Sequence, residues 1–218
     1  MQKGFVIGIL IILLIVVGGI FLLLGQTEPK SDLGESESDT VPTQWSQAGD
    51  YEIKETPGQQ TVVTNSKAGF SFKVPEGWRV NGEKYGIEEY ILNLLSLDAQ
   101  LNERKSLTKG CGISFGTLYQ KDEVANTKAS IVFLQDNGGE VNSGETIQTI
   151  IKISGHFGVK IINTTDDQRF LETFGRITQV KIPVDDATLI VIGFSIMPVA
   201  EKDCTAKFDT LLSNLVIK

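Results

Sequence analysis

Histidine, cysteine, methionine and tryptophan are scarce in this chain: one, two, two and two among 218 residues. With His156 as the single imidazole and Cys111 and Cys204 as the only thiols, a Cys/His zinc cage cannot be assembled. A Ser-His-Asp triad would have to be built on His156. Its neighbour Ser154 falls in a turn-like stretch, and no G-x-S-x-G elbow occurs. The phosphate cradle G-x-x-x-x-G-K-S/T is missing, so Asn137-Gly138-Gly139 and Asn142-Ser143-Gly144 read as loops. No Lys/Arg-rich stripe interleaves with aromatics, which leaves nucleic acid without an electrostatic footprint. Charge is missing altogether from Gly4 to Gln26.

That uncharged stretch is the strongest positive signal. Phe5 to Leu24 is a run of twenty almost wholly apolar residues, and a helix of that length spans about 30 Å, the hydrocarbon core of a bilayer. Lys3 precedes the run and the first charge after it is Glu28, so the basic side is the N-terminus and the predicted topology is N-terminus in, C-terminal part out. The run exceeds a secretory h-region and ends in Leu-Gly-Gln rather than A-x-A, so residues 1–25 are expected to be an uncleaved signal anchor. No cysteine follows to carry a lipid. Lys3-Gly4-Phe5 ahead of the apolar run resembles the processing site of type IV prepilins. That family usually has Glu at the fifth position after the Gly, where this chain has Ile9.

Residues 26–60 hold eight acidic and two basic side chains, −6 of the net −7, with Pro29, Pro42 and Pro57 among Ser, Gly and Gln. This composition predicts a flexible acidic linker, with Trp45 and Tyr51 as its aromatics. Its root-mean-square reach is about 30–35 Å. Residues 61–218 are nearly neutral and long enough for one domain with a real core. In an extracytoplasmic domain the even pair Cys111 and Cys204 points to a disulfide; the alternative is two unpaired buried thiols.

Within the domain, Thr61-Val62-Val63-Thr64 and the alternating Phe70 to Val74 read as strands, with Pro75-Glu76-Gly77 turning the chain to deliver Trp78 to the core. Residues 87–97 fit a helical stripe and a strand equally, and residues 98–110 read as loop. Cys111 to Tyr119 is a strand, and Asp122 to Gln135 a helix stopped by Asn137-Gly138-Gly139. Ile147–Ile153 and Phe157–Ile162 form a hairpin around Ser154-Gly155-His156. Thr173–Ile182 and Thr188–Met197 are two more strands, Ala200–Asn214 is an amphipathic helix, and Leu215-Val216-Ile217 returns to a sheet edge. Strands, helix, strands, helix in that order describe an α+β layer fold with an antiparallel sheet.

Three segments carry a family resemblance. Ala68-Gly69-Phe70-Ser71-Phe72-Lys73-Val74-Pro75-Glu76-Gly77-Trp78 is similar to the opening strand-turn of PsbP-like domains. Ile153-Ser154-Gly155-His156-Phe157-Gly158-Val159-Lys160 resembles their central hairpin, and Phe208-Asp209-Thr210-Leu211-Leu212-Ser213-Asn214-Leu215 their closing helix. The resemblance implies a Mog1/PsbP-type α/β/α sandwich with a central antiparallel sheet, and makes residues 90–97 strand. Photosynthetic members of that family assist photosystem II and affect its Mn and Ca; small membrane-tethered bacterial proteins with such a domain are another type, which this chain resembles.

Candidate chemistry is thin. The acidic pairs Glu88-Glu89, Asp166-Asp167 and Asp185-Asp186 could offer oxygen ligands to Ca²⁺ or Mn²⁺ but stand where Asp serves turns. Trp78 reads as a core anchor and His156 as a solvated turn residue. The expected function is therefore a membrane-anchored, extracytoplasmic, non-catalytic binding module of the cell envelope. No catalytic, cofactor or metal residue is assigned. The membrane and an envelope protein are its partners, and nucleic acid is not. A pilin-like or pseudopilin-like structural subunit and an envelope hydrolase are the alternatives.

Overall fold

The computed structural model describes residues 44–81, 92–103, 106–198 and 204–218. They belong to the compact unit Pro42–Lys218. The expected anchor, the start of the expected linker and Glu88-Glu89 lie outside the described residues.

Among the described residues, fifteen strands, three α-helices and a 3-10 turn at Ala48–Asp50 build the fold. In chain order the strands are β1 (Gln44–Trp45), β2 (Tyr51–Lys54), β3 (Val62–Asn65), β4 (Phe70–Lys73), β5 (Trp78–Asn81), β6 (Leu92–Ser96), β7 (Gln100–Leu101), β8 (Leu107–Lys109) and β9 (Cys111–Tyr119). Helix α1 (Lys121–Asp136) is followed by β10 (Glu140–Asn142), β11 (Thr146–Ile153), β12 (His156–Asn163) and helix α2 (Gln168–Phe174). Then come β13 (Arg176–Pro183), β14 (Thr188–Ile196), helix α3 (Cys204–Ser213) and β15 (Val216–Ile217).

The main sheet runs β10-β11-β12-β13-β14-β9-β6-β5, with β1 beside the far end of β9. A second sheet runs β15-β4-β3-β2, and β7 and β8 form a small hairpin. Every strand pairing among the described residues is antiparallel. The architecture is thus a mostly antiparallel sheet with few helices.

Side-chain alternation gives the main sheet two different faces. On one face, Cys111, Ile113 and Phe115 of β9 and Ile190, Ile192 and Phe194 of β14 pack against the second sheet and α3. Phe72 stacks on Phe115 with ring centroids 4.3 Å apart, and Phe194 on Phe208 at 4.4 Å. Each fully buried ring contributes about 1.5–3 kcal/mol of transfer free energy, so these stacks are the energetic centre of the domain. On the other face, α1 buries Val124 against Leu118 and Leu189, and Ile131 and Leu134 against Val159. The layers are therefore α1, the main sheet, and a composite of the second sheet with α3.

Cys111, at the start of β9, is bonded to Cys204, at the start of α3, with Cα atoms 6.4 Å apart and both residues buried in the aromatic core. Closing a loop of 93 residues stabilises by about 4–5 kcal/mol on the chain-entropy model. Ser96 pins the same corner: its Oγ accepts from the Cys111 backbone N–H at 2.9 Å and donates to Asp98 Oδ1 at 2.6 Å.

Three departures from the sequence reading have clear causes. The folded unit includes β1 and β2, within the segment whose composition reads as linker. Here Trp45 packs against Leu118, Val124 and Leu189, and Tyr51 meets Phe70 edge-on at 6.3 Å. Buried Ser46 then clamps this segment to β9, donating its N–H to the Thr117 carbonyl at 2.7 Å and accepting the Thr117 N–H on its Oγ at 3.0 Å. Two docked aromatics and a backbone-like clamp outweigh an acidic composition. Second, residues 168–174 form α2, where the strand had been expected to begin at Thr173. Asp167 starts the helix by accepting from the Arg169 and Phe170 N–H groups, and Gly175 ends it at φ 69°. Third, residues 98–110 contain the β7–β8 hairpin rather than open loop.

Elsewhere residues 92–96 are strand, α1 closely matches the expected helix, and the hairpin turns at Ser154-Gly155. Both turn residues have positive φ, 52° and 90°, the requirement of a tight type I′ turn.

Candidate functional site

The face of the main sheet covered by α1 is not covered along its whole length. The antiparallel register of β9 and β14 sets Leu118 opposite Leu189, Gly116 opposite Val191, Ser114 opposite Gly193, and Gly112 opposite Ser195. Along this face the side chains shrink from Leu and Val under α1 to Gly and Ser at the other end. Asn93 and Leu95 of β6 continue the uncovered end, since Asn93 pairs with Ser114 and Leu95 with Gly112.

The result is a groove of about 180 Å³. Asn93, Ser114 and Ser195 supply its polar floor, Leu107 of β8 one wall, and Phe174 of α2 and Met197 the other. Among the described residues that line it, none is charged. Ser114 Oγ donates to Asn93 Oδ1 at 2.8 Å. Asn93 is only 4% exposed, and its Nδ2 has no hydrogen-bond partner. A buried amide left half-paired in this way costs about 1–3 kcal/mol.

The walls are held by local rules. Thr108 Oγ1 donates to the Gln100 carbonyl at 3.1 Å and the Ser106 N–H to Asn102 Oδ1 at 2.9 Å, closing the hairpin that presents Leu107. Gly175 lets α2 press against the end of β14, where any Cβ would collide with the Ile196 carbonyl oxygen. Across α2 lies a second depression of about 320 Å³ lined by Leu171, Arg176 and Pro198, which shares Met197 with the first. Such an arrangement can hold a small molecule by hydroxyls and apolar contacts; among the described residues no side chain lining the groove is an acid or a base.

The residues singled out by sequence stand elsewhere, and the structure does not bring them together. His156 opens β12 opposite Ile153. Ser154 is tied to β15: its Oγ donates to the Ile217 carbonyl and accepts the Ile217 N–H, both at 3.1 Å. Asp167 caps α2. Asp185 accepts from the Ala187 and Thr188 N–H groups at 2.7 Å each and from Thr188 Oγ1 at 2.9 Å. The Ala187 bond leads in holding the Asp185 carboxyl below its ordinary value. Asp186 pairs with Lys128 at 2.6 Å. Among the described residues no three His, Cys, Asp or Glu side chains gather as a metal site would require.

Between the two sheets lies a buried polar cluster of Ser46, Tyr51, Asn65 and Thr117, in which the Ser46 and Tyr51 hydroxyls are 2.8 Å apart. Burial pushes the Tyr51 phenol upward. Nearby, burial first and then the charge of Asp50 push Tyr119 to about 12.

Sequence reasoning missed the groove. Its one available signal was the run Gly112, Ser114, Gly116 on alternate positions of a strand whose other positions are Cys111, Ile113 and Phe115. A central strand with one small, polar face leaves that face for something other than core.

No family model and no curated protein sequence matches the chain. Among solved structures it is similar to the cyanobacterial PsbP of Synechocystis, with a TM-score of 0.36 and 13% identity over 85% of this chain and 99% of that one. It is also similar to a protein of Bacteroides thetaiotaomicron, with a TM-score of 0.32 and 10% identity over 69% of this chain. The match spans only 45% of the Bacteroides protein. Among the described residues no helix is long and apolar enough to cross a membrane.

Proposed function

We propose that this chain is a membrane-anchored, extracytoplasmic, non-catalytic interaction module with a PsbP-like domain, serving the cell envelope by holding a protein partner. The observation that carries this reading is the groove over Asn93, whose described lining combines hydroxyls with apolar side chains and holds no acid or base. The other polar candidates have structural tasks: Asp167 and Asp185 hold backbone N–H groups, and Ser154 ties the hairpin to β15.

The location is argued from chemistry. The run from Phe5 to Leu24 is long enough to span a bilayer. The Cys111–Cys204 bond suits an oxidising compartment. The PsbP-like assignment rests on three motifs that fall at a strand-turn-strand, a hairpin and a closing helix, the elements the resemblance implies.

The test is crosslinking of the full-length protein in its native membrane at native abundance, followed by mass spectrometry, together with protease accessibility in sealed cells. A recurrent envelope protein and a domain cut from outside are expected. A domain protected from external protease, or crosslinks absent above the background of an unrelated single-pass protein, would overturn the reading. Pilus-machinery subunits as the recurrent partner would replace it with the pilin-like alternative.

A further inference from the structure

We infer that α2 is a lid: the segment between Thr165 and Gly175 swings off Met197 as a unit and makes the two depressions beside it continuous. The motion does not depend on what the groove holds. Helices α1 and α3 each bury four side chains, whereas α2 buries none. Its Phe170, Leu171 and Phe174 are half-buried and its other four residues are exposed. A helix of seven residues has no stability of its own in water. It is held in place by the Asp167 cap and by the shallow seating of Leu171 and Phe174 at the two depressions.

Both ends of the segment are fixed, which defines the hinges. Before it, Thr164 donates its N–H to the Glu145 carbonyl at 2.9 Å and its Oγ1 to the Gly144 carbonyl at 3.0 Å. After it, Arg176 enters the β13 ladder opposite Ile196. Gly175, at φ 69°, is the pivot, pressed against the end of β14 in a conformation that other residues rarely adopt. The side-chain hydrogen bonds of Asp167, Gln168 and Thr173 run within the segment and move with it. So does the contact of Phe170 with Phe174, ring centroids 5.1 Å apart.

Met197 is the wall that both depressions share, and it is 3% exposed. Lifting α2 takes Leu171 and Phe174 away from it and joins spaces of about 180 and 320 Å³. Segments with few buried apolar contacts open locally while the rest of a fold stays closed. The aromatic core lies on the opposite face of β14, with Ile192 and Phe194, so the opening leaves it intact.

The chain has two methionines, Met1 and Met197, so a methyl-¹³C-methionine label makes Met197 one of two signals, assigned with Met197→Leu. The test uses the full chain in lipid nanodiscs. It reads relaxation dispersion, which detects microsecond-to-millisecond exchange, and broadening by a soluble paramagnetic chelate. The expected result is exchange of the Met197 methyl between a protected and a chelate-accessible state while the domain as a whole is folded. Asp167→Ala, which removes the cap, and Leu171→Ser, which weakens the seating, should each raise the accessible fraction several-fold. Both should lower the denaturant midpoint far less than Phe72→Ala does. Val132→Ser, on the outer surface of α1, should change neither readout. A Met197 methyl equally protected in wild type, Asp167→Ala and Leu171→Ser would overturn the lid, and so would exposure that appears only in step with denaturant unfolding.

Discussion

The two faces of the main sheet are built from the same strands and do opposite things. On the face toward the second sheet, β9 and β14 contribute Cys111, Ile113, Phe115, Ile190, Ile192 and Phe194, each at most 1% exposed. On the other face the same strands carry Leu118, Leu189 and Val191 under α1, then Gly112, Ser114, Gly193 and Ser195 where α1 no longer reaches. The difference teaches where stability resides and where sequence is free. The aromatic face is dense and stapled by the disulfide. The open end of the other face carries small side chains beside Leu95 and Met197 and keeps a half-paired amide, a feature that adds nothing to folding.

The comparison breaks most completely at the aromatic stack. Phe72→Ala removes a ring 4.3 Å from Phe115 and should cost about 3–5 kcal/mol, measured by denaturant unfolding of the oxidised protein. Replacing both Cys111 and Cys204 by Ala should cost about 2–5 kcal/mol. A loss under 1 kcal/mol would show that the disulfide corner is not part of the stable face.

Asp185→Asn sharpens a smaller point. The native carboxyl lies below its ordinary 3.8, so it stabilises the fold fully above about pH 4. That contribution is lost as the pH falls through the lower, folded value. The stability gap between wild type and variant should therefore be constant at neutral pH and close in acid; a gap unchanged down to the acid limb would contradict the turn assignment. At the alkaline end, Tyr119 raised to about 12 predicts stability fully kept below about pH 10 and lost as the pH rises from about 10 to 12, a loss that Tyr119→Phe should reduce. Smallest of all, Ser195→Ala on the open face should stay within about 0.5 kcal/mol of wild type. A large loss there would mean that the groove floor belongs to the core after all.

Much of the fold was legible in the residues. The alternation of Phe70 to Val74, the Ser154-Gly155 hairpin and the stripe Phe208, Leu211, Leu212 all appear where their periods place them. Residues 87–97 were ambiguous because a short apolar run satisfies both periods; strand β6 is decided by pairing with β5 and β9, partners distant in the chain. Helix α2 escaped notice because it has seven residues, none of them buried, too short and too shallow to imprint a 3.6 period. Trp45 and Tyr51 were visible, but their docking sites lie in β9, α1, β14 and β4, which no local pattern reports.

By itself the sequence determined the local choices: which segments pleat or coil, where the turns bend, and which face of each strand is apolar. Those follow from backbone sterics and from the burial of nearby side chains at a fixed spacing. Only the tertiary structure decided that Cys111 meets Cys204, that the fold begins before residue 61, and that Asn93, Ser114 and Ser195 share one floor. Each joins residues from strands or helices far apart in the chain. Such meetings depend on strand order and register, which are set by the packing of whole faces against one another.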